Sequence, residues 1–261
     1  MPAHHYALFV PLLTLSDRLA AKSSPSSSGT LPPEYLHLVF LDTTPFIAGY
    51  YSKQYMNHSA LMEPNIDAQL AFLTRALKGE LSLEDQDTRV FYARDGSSDV
   101  PLSAIPTAEL MSVQSAQQAR RVWTVVVGHH PVFTAQPDEN VADEMKRMVL
   151  PLLREHRVHA YVSGHSHCLE LMQHPKDDIL YAVSGSGSDP QLLQLPQYPY
   201  TRFFDGSHLG FLTLQVSLRS AVLQLQYYGV PVRDGVRAES SAIAEEHIPP
   251  VVLHSTSLRF Y

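Results

Sequence analysis

Apolar runs of strand length recur along the chain, separated by polar stretches. Residues 36–41, 122–127, 160–163 and 179–183 are compact apolar runs and predict buried strands. The run Val122-Trp123-Thr124-Val125-Val126-Val127 is apolar on both faces, as a central strand requires. Residues 1–15 read as an extended, partly buried segment, and 89–92 as a short strand. Two stretches show helical spacing instead. Ile66, Leu70, Leu73 and Leu77 share one face of a helix over 66–77, capped by Asn65 and closed by Lys78-Gly79. Met145, Met148, Val149 and Leu152 form the stripe of a helix over 143–155, which Pro151 should kink or shorten. A further helix capped by Thr107, with Leu110 and Val113 as apolar positions, ends near Arg120-Arg121. After 160–163 the pattern becomes all-β. Residues 169–172 alternate, and 210–216 with 221–228 form an antiparallel hairpin joined at 217–220. The sum is an α/β chain with a strand–helix–strand unit at its centre.

The polar stretches set the boundaries. Residues 17–33 are a Ser-rich loop, 80–106 an acidic surface insertion, and 234–261, with Pro249-Pro250, take no assignment. The 261 residues suffice for one large domain or two small ones, with a substantial core. A net charge of −7 argues against nucleic acid or a membrane surface as a charge-driven partner. No apolar run approaches the ~20 residues of a transmembrane helix, and the start Met1-Pro2-Ala3-His4-His5-Tyr6 lacks the basic residues of a signal peptide. The single cysteine, Cys168, excludes an internal disulfide. It neighbours His167, but adjacent residues in an extended segment point apart, and no Gly-x-Ser-x-Gly elbow is present, which argues against nucleophilic catalysis.

Among the 14 histidines, position singles out a few. Gly128-His129-His130-Pro131 and Gly164-His165-Ser166-His167 each follow a predicted strand, at the rim where open α/β sheets bind ligands. His165 and His167 are two apart, so an extended segment points both to one side, and His129 arrives from the neighbouring strand. Neutral imidazoles so placed are a metal-ligand set: His129, His165 and His167. The alternative is that these rings only satisfy loop carbonyls. His37 reads as a core or edge histidine, and Asn57-His58 follows no strand. Asp42 fixes the turn after its strand through its side chain. Ser184-Gly185-Ser186-Gly187 reads as a tight turn, with an anion cradle as the alternative.

These motifs resemble the purple acid phosphatases, particularly the small tartrate-resistant type, within the calcineurin-like metallophosphoesterases. Met1-Pro2-Ala3-His4-His5-Tyr6 is similar to that family's MPxxYY segment, and Phe40-Leu41-Asp42-Thr43 to its F-(hydrophobic)-D-T strand. Gln69-Leu70-Ala71-Phe72-Leu73 is similar to its Q-L-x-W-L helix. Gly128-His129-His130-Pro131-Val132 resembles its GH-(aromatic or His)-PV segment, Gly164-His165-Ser166-His167 its GHDH, and Ser184-Gly185-Ser186-Gly187 its SGAG. The resemblance implies hydrolysis of phosphate monoesters by a metal-bound hydroxide at a dinuclear centre of iron with iron, zinc or manganese. In it His129 and His165 bind the divalent ion and His167 the ferric one. Members are commonly secreted or lysosomal.

The family's DxG, GDxxY and GNH motifs, which carry the bridging aspartate and further ligands, have no counterpart in this chain. Ser166 stands where the family has aspartate, and Cys168 where it has asparagine. The expected fold is therefore the carboxyl-terminal half of a metallophosphoesterase β-sandwich flanked by helices in four αββα layers, with a partial domain over 1–233. No catalytic residue is retained, at most one divalent ion is expected, and the chain is expected to be inactive alone. An apolar half-sandwich face should be left for a partner to cover. The alternatives are a non-catalytic metal-binding or partner-docking module and a functionless remnant.

Overall fold

The structure, a computed structural model, describes residues 5–12, 34–51, 66–81, 88–90, 122–135, 139–188, 199–217, 221–231 and 249–259. Asn57-His58, the helix expected after Thr107, and most of the Ser-rich and acidic stretches lie outside these residues. The elements in chain order are β1 (Tyr6–Leu12), β2 (Glu34–Phe40), two 3₁₀ turns (Thr44–Phe46 and Ala48–Tyr51), α1 (Ile66–Lys78), β3 (Thr88–Val90) and β4 (Val122–Val127). Then come α2 (Glu139–Met148), α3 (Leu150–Glu155), β5 (Ala160–Ser163), β6 (Leu169–Gln173), β7 (Leu180–Ser184), β8 (Thr201–Asp205), β9 (His208–Ser217), β10 (Val222–Pro231) and β11 (Val251–Arg259).

Eight strands form one mixed sheet in the order β3-β1-β2-β4-β5-β7-β6-β8, and β11-β10-β9 form a second. Strands β2, β4, β5 and β7 are mutually parallel. The large sheet is covered on both faces. On one, Tyr35, Val39, Val126, Tyr161 and Tyr181 pack with Phe72 and Leu73 of α1 and with Met145 and Leu153 of α2 and α3. On the other, Trp123, Val125, Ala160, Leu169 and Leu171 pack against Leu223, Leu225 and Tyr227 of β10. This two-sided burial is why β4 carries no polar face. The described residues thus make three layers of the expected sandwich: helices, large sheet, small sheet.

Local chemistry explains where the elements depart from their sequence pattern. The single helix expected over 143–155 is two, α2 beginning at Glu139 and α3 at Leu150. Pro151 sits in the first turn of α3, where its missing N–H costs no helical bond. The hairpin is longer than its alternation, with β9 and β10 paired from Val222↔Ser217 to Pro231↔His208. The unassigned 234–261 stretch supplies β11, whose polar alternation conceals a strand that pairs with β10. His37 is buried and stacks on Phe9 at 4.2 Å. Burial pushes its pKa down to about 4, so it is a neutral core histidine.

The turn after β7 shows how tightly the loops pack. A Cβ on Gly185 would run into the carbonyl oxygen of Ser166, and backbone there cannot yield. Gly185→Ala is expected to cost about 1–3 kcal/mol in urea unfolding. Gly187→Ala, with nothing within 4 Å of the added carbon, is expected to leave the midpoint unchanged.

Candidate metal site

Because β2, β4, β5 and β7 run parallel, the loops that follow them open on one rim. They bring Asp42 and Thr43, His129 and His130, His165 and Ser166, and Gly185 and Ser186 to that edge. Backbone pairing continues past the strands. Gly128 N–H donates to Val162 O at 3.0 Å, and Gly164 N–H to His129 O at 3.0 Å. The second bond locks the two histidine loops together. Gly128 is required there, since a Cβ would lie 2.5 Å from the Tyr161 hydroxyl and 2.7 Å from Thr43 Cγ2.

Of the three ligands expected from sequence, His129 and His165 meet: His165 Nδ1 lies 3.2 Å from His129 Nε2. The third ring gathered with them is His130, and the ligand atoms of the three lie within 4.8 Å of one another. His167 stands outside that group. It is half-buried, and its Nδ1 is buried without a hydrogen-bond partner. The period-two argument does not carry across this loop because the loop is not extended. His165 has φ 61°, and Ser166 N–H and Cys168 N–H each donate two residues back, to Gly164 O and Ser166 O at 2.7 Å. A left-handed residue between such tight turns re-aims every side chain after it.

His130, considered in the sequence only as part of its motif, is nearly fully buried and held by hydroxyls. Thr43 Oγ1 lies 2.7 Å from its Nδ1 and accepts its backbone N–H at 3.0 Å, while the Tyr50 hydroxyl lies 3.0 Å from Nε2. Tyr161 donates to His130 O at 2.7 Å. Either ring nitrogen would have to give up a hydroxyl to take an ion. Burial first, then the neighbouring His165 and His129, push its pKa down to about 3. Burial and then His165 also lower His129, with Asp42 pulling the other way. Both rings are therefore neutral at pH 7, the form that ligates metal. Asp42 does fix its turn, accepting Thr44 N–H on Oδ1 at 3.1 Å, and it also lies within electrostatic reach of His129.

One other reading resolves. Gly185 N–H is spent on Cys168 O, so 184–187 is a turn and that donor is not open to an anion. Asp205, Ser207 and His208 have the residue types of a relay, but Asp205 Oδ2 and Ser207 Oγ both meet the same ring nitrogen, His208 Nδ1, at 2.8 and 3.1 Å. The trio locks a turn and leaves no base facing a nucleophile.

Glu170 carries no signal in the sequence beyond an acid in an alternating strand. It is fully buried on β6, and both carboxylate oxygens accept Ala135 N–H, at 3.1 and 3.0 Å. Burial raises its pKa from the ordinary 4.5 to about 7, against the hydrogen bonds from Ala135 and Thr134. Its further neighbours Cys168 and Tyr227 bring no positive charge. Between these two pKa values the unfolded chain has lost a proton that the folded chain keeps. Stability should therefore fall from about pH 4.5 to about pH 7, by up to about 1.4 kcal/mol per pH unit, and level off above. Urea unfolding across that range should show this slope in the wild type and lack it in Glu170→Gln.

No family model matches the chain. It is 32% identical over 123 residues to purple acid phosphatase 7 of Arabidopsis thaliana, covering 44% of this chain and 34% of that protein. It is 26% identical over 204 residues to purple acid phosphatase 3 of the same plant, covering 76% of this chain and 44% of that one. The solved structure described as "GAP50 the anchor in the inner membrane complex of Plasmodium" has the same fold at a TM-score of 0.54 and 16% identity, over 88% of this chain and 51% of that one. The chain spans less than half the length of the two plant relatives. On the sequence landmarks, the rim histidines and these matches, the chain is similar to the purple acid phosphatases over part of their length.

Proposed function

We propose that the chain carries the histidine side of a metal-dependent phosphomonoesterase site, with His129 and His165 as ligands and His167 as the third. The observation that carries this reading is the pair of imidazole nitrogens, His165 Nδ1 and His129 Nε2, 3.2 Å apart on a strand rim. Two nitrogens on one zinc ion at about 2.05 Å with a tetrahedral angle lie about 3.3 Å apart, so the pair is spaced for a shared ion. Either candidate for the third donor has to move: His130 is gathered with the pair but both its nitrogens meet hydroxyls, and His167, whose Nδ1 is buried without a partner, lies outside the gathered group. A bound ion would supply Lewis-acid polarisation of a phosphoryl oxygen.

The family's metal pair does not fit the residues described. The gathered donors are imidazoles alone, with no carboxylate among them. Two cations close together need a bridging anion to offset their repulsion. The donor set fits one ion of zinc type, and ester hydrolysis then needs carboxylate donors beyond the described residues.

A second reading, docking without catalysis, is favoured by an apolar end of the small sheet. Phe211, Val251 and Val252 are exposed, and Phe211 stacks on Tyr228, which pairs with Val252. Among the described residues no helix is long and apolar enough to cross a membrane.

Isothermal titration with zinc should show one site per chain, lost in His129→Ala and His165→Ala and weakened in His167→Ala. Equal affinity in wild type and His165→Ala would remove the site. With iron, zinc or manganese, the 261-residue chain should not hydrolyse p-nitrophenyl phosphate above background. Robust turnover would show that the chain completes its own centre.

A further inference from the structure

Glu170 is unusual in this core. It is a fully buried acid beside the Ala135 backbone, the Thr134 hydroxyl, Cys168 and Tyr227, none of them cationic. An unpaired acid at such a place costs stability that an apolar residue would not. What it holds is specific. Its carboxylate takes Ala135 N–H on both oxygens and a hydrogen bond from the Thr134 side chain. Thr134 Oγ1 in turn lies 3.1 Å from Ser166 Oγ, and Ser166 is nearly fully buried between His165 and His167. A threonine hydroxyl has one proton. With Glu170 ionised and that proton on its carboxylate, Ser166 donates to Thr134, and the order Ser166→Thr134→Glu170 follows for that state. The base of the column is also fixed, since Tyr227 of the small sheet donates to Glu170 O at 2.6 Å. One acid therefore ties together the end of the loop carrying His129 and the middle of the loop carrying His165.

We propose that Glu170, acting through Thr134 and Ser166, is a positioning residue that sets the His165 imidazole against His129. The proposal rests on the reading of those two rings as metal ligands. None of the three residues touches the ion. Thr134 and Ser166 supply the hydroxyl column that holds the left-handed His165 in place, and Glu170 supplies the terminal acceptor. A glutamine at 170 has one carbonyl oxygen in place of two acceptors, so it cannot take both the Ala135 and the Thr134 bonds in the same way. Thr134→Val removes the link while keeping the shape of the side chain, and Thr134→Ser restores the hydroxyl.

The test uses the full chain with zinc alone as the probe, and a second readout without metal. Supporting ligand partners of this kind change metal affinity by about 10–100-fold, so Thr134→Val and Glu170→Gln should weaken zinc at least about tenfold, with Thr134→Ser near wild type. In zinc-free protein, the nuclear Overhauser contacts between the His129 and His165 rings, whose centroids lie 5.1 Å apart, should fade in Thr134→Val and return in Thr134→Ser. Thr134→Val should keep the wild-type far-ultraviolet circular dichroism, which separates positioning from unfolding. Ring contacts unchanged in a folded Thr134→Val overturn the proposal, whatever zinc does. Should His165→Ala bind zinc as the wild type does while Thr134→Val loses the ring contacts, the metal reading falls and the positioning role stands.

Discussion

The hydrogen-bond ladder between β4 and β5 does not stop where the strands stop, and the site depends on that continuation. Val125, Val126 and Val127 pair with Ala160, Tyr161 and Val162, and the parallel pattern then runs on through Gly128 N–H to Val162 O and Gly164 N–H to His129 O. Parallel pairing makes both loops leave from the same edge, and the last bond fixes their separation. Without it, His129 and His165 would sit on two independent loops, and their nitrogens would have no reason to lie 3.2 Å apart. Glycine at 128 permits the approach of Tyr161 and Thr43, which close the floor beneath the histidines.

Around this ladder the protein places neutral groups where charge would be costly. His37 and His130 are buried with their pKa values well below the usual range. Tyr161, Tyr181 and Tyr227 are held above theirs by burial, and each gives its hydroxyl to an oxygen acceptor: His130 O, Asp177 Oδ2 and Glu170 O. Asp177 also pairs with Arg154 at 2.7 Å, pinning the loop before β7 to α3. Buried polar groups that find partners fix loop geometry more sharply than apolar contacts can, because hydrogen bonds are directional. The rim is thus built on a rigid base, with the exposed His129 at its outer edge.

Much of this architecture was legible in the sequence. The strand runs at 122–127, 160–163 and 179–183 map onto β4, β5 and β7, and helix 66–77 onto α1, because apolar periodicity reports directly which face is buried. The pairing of His129 with His165 was legible too, since both follow strands that lie side by side. Less visible were β8 and β11, whose residues alternate weakly because their outer faces meet solvent. Pro151 pointed to a break, but only the packed structure shows that it opens a new helix.

By itself the sequence determined the α/β class, the succession of strands and helices, and the two glycine–histidine turns on one rim, all properties of local spacing. The tertiary structure decided which imidazoles converge. The left-handed His165 and the tight turns after it carry His167 out of the group, and the hydroxyls of Thr43 and Tyr50 draw His130 toward it. It also decided the part played by Glu170, whose partners Thr134 and Ala135 stand 36 and 35 positions away in the chain. A period of two or of 3.6 residues describes which way neighbours point along one segment. It contains nothing about where a turn with positive φ sends the next side chain, or which distant loop meets a buried acid.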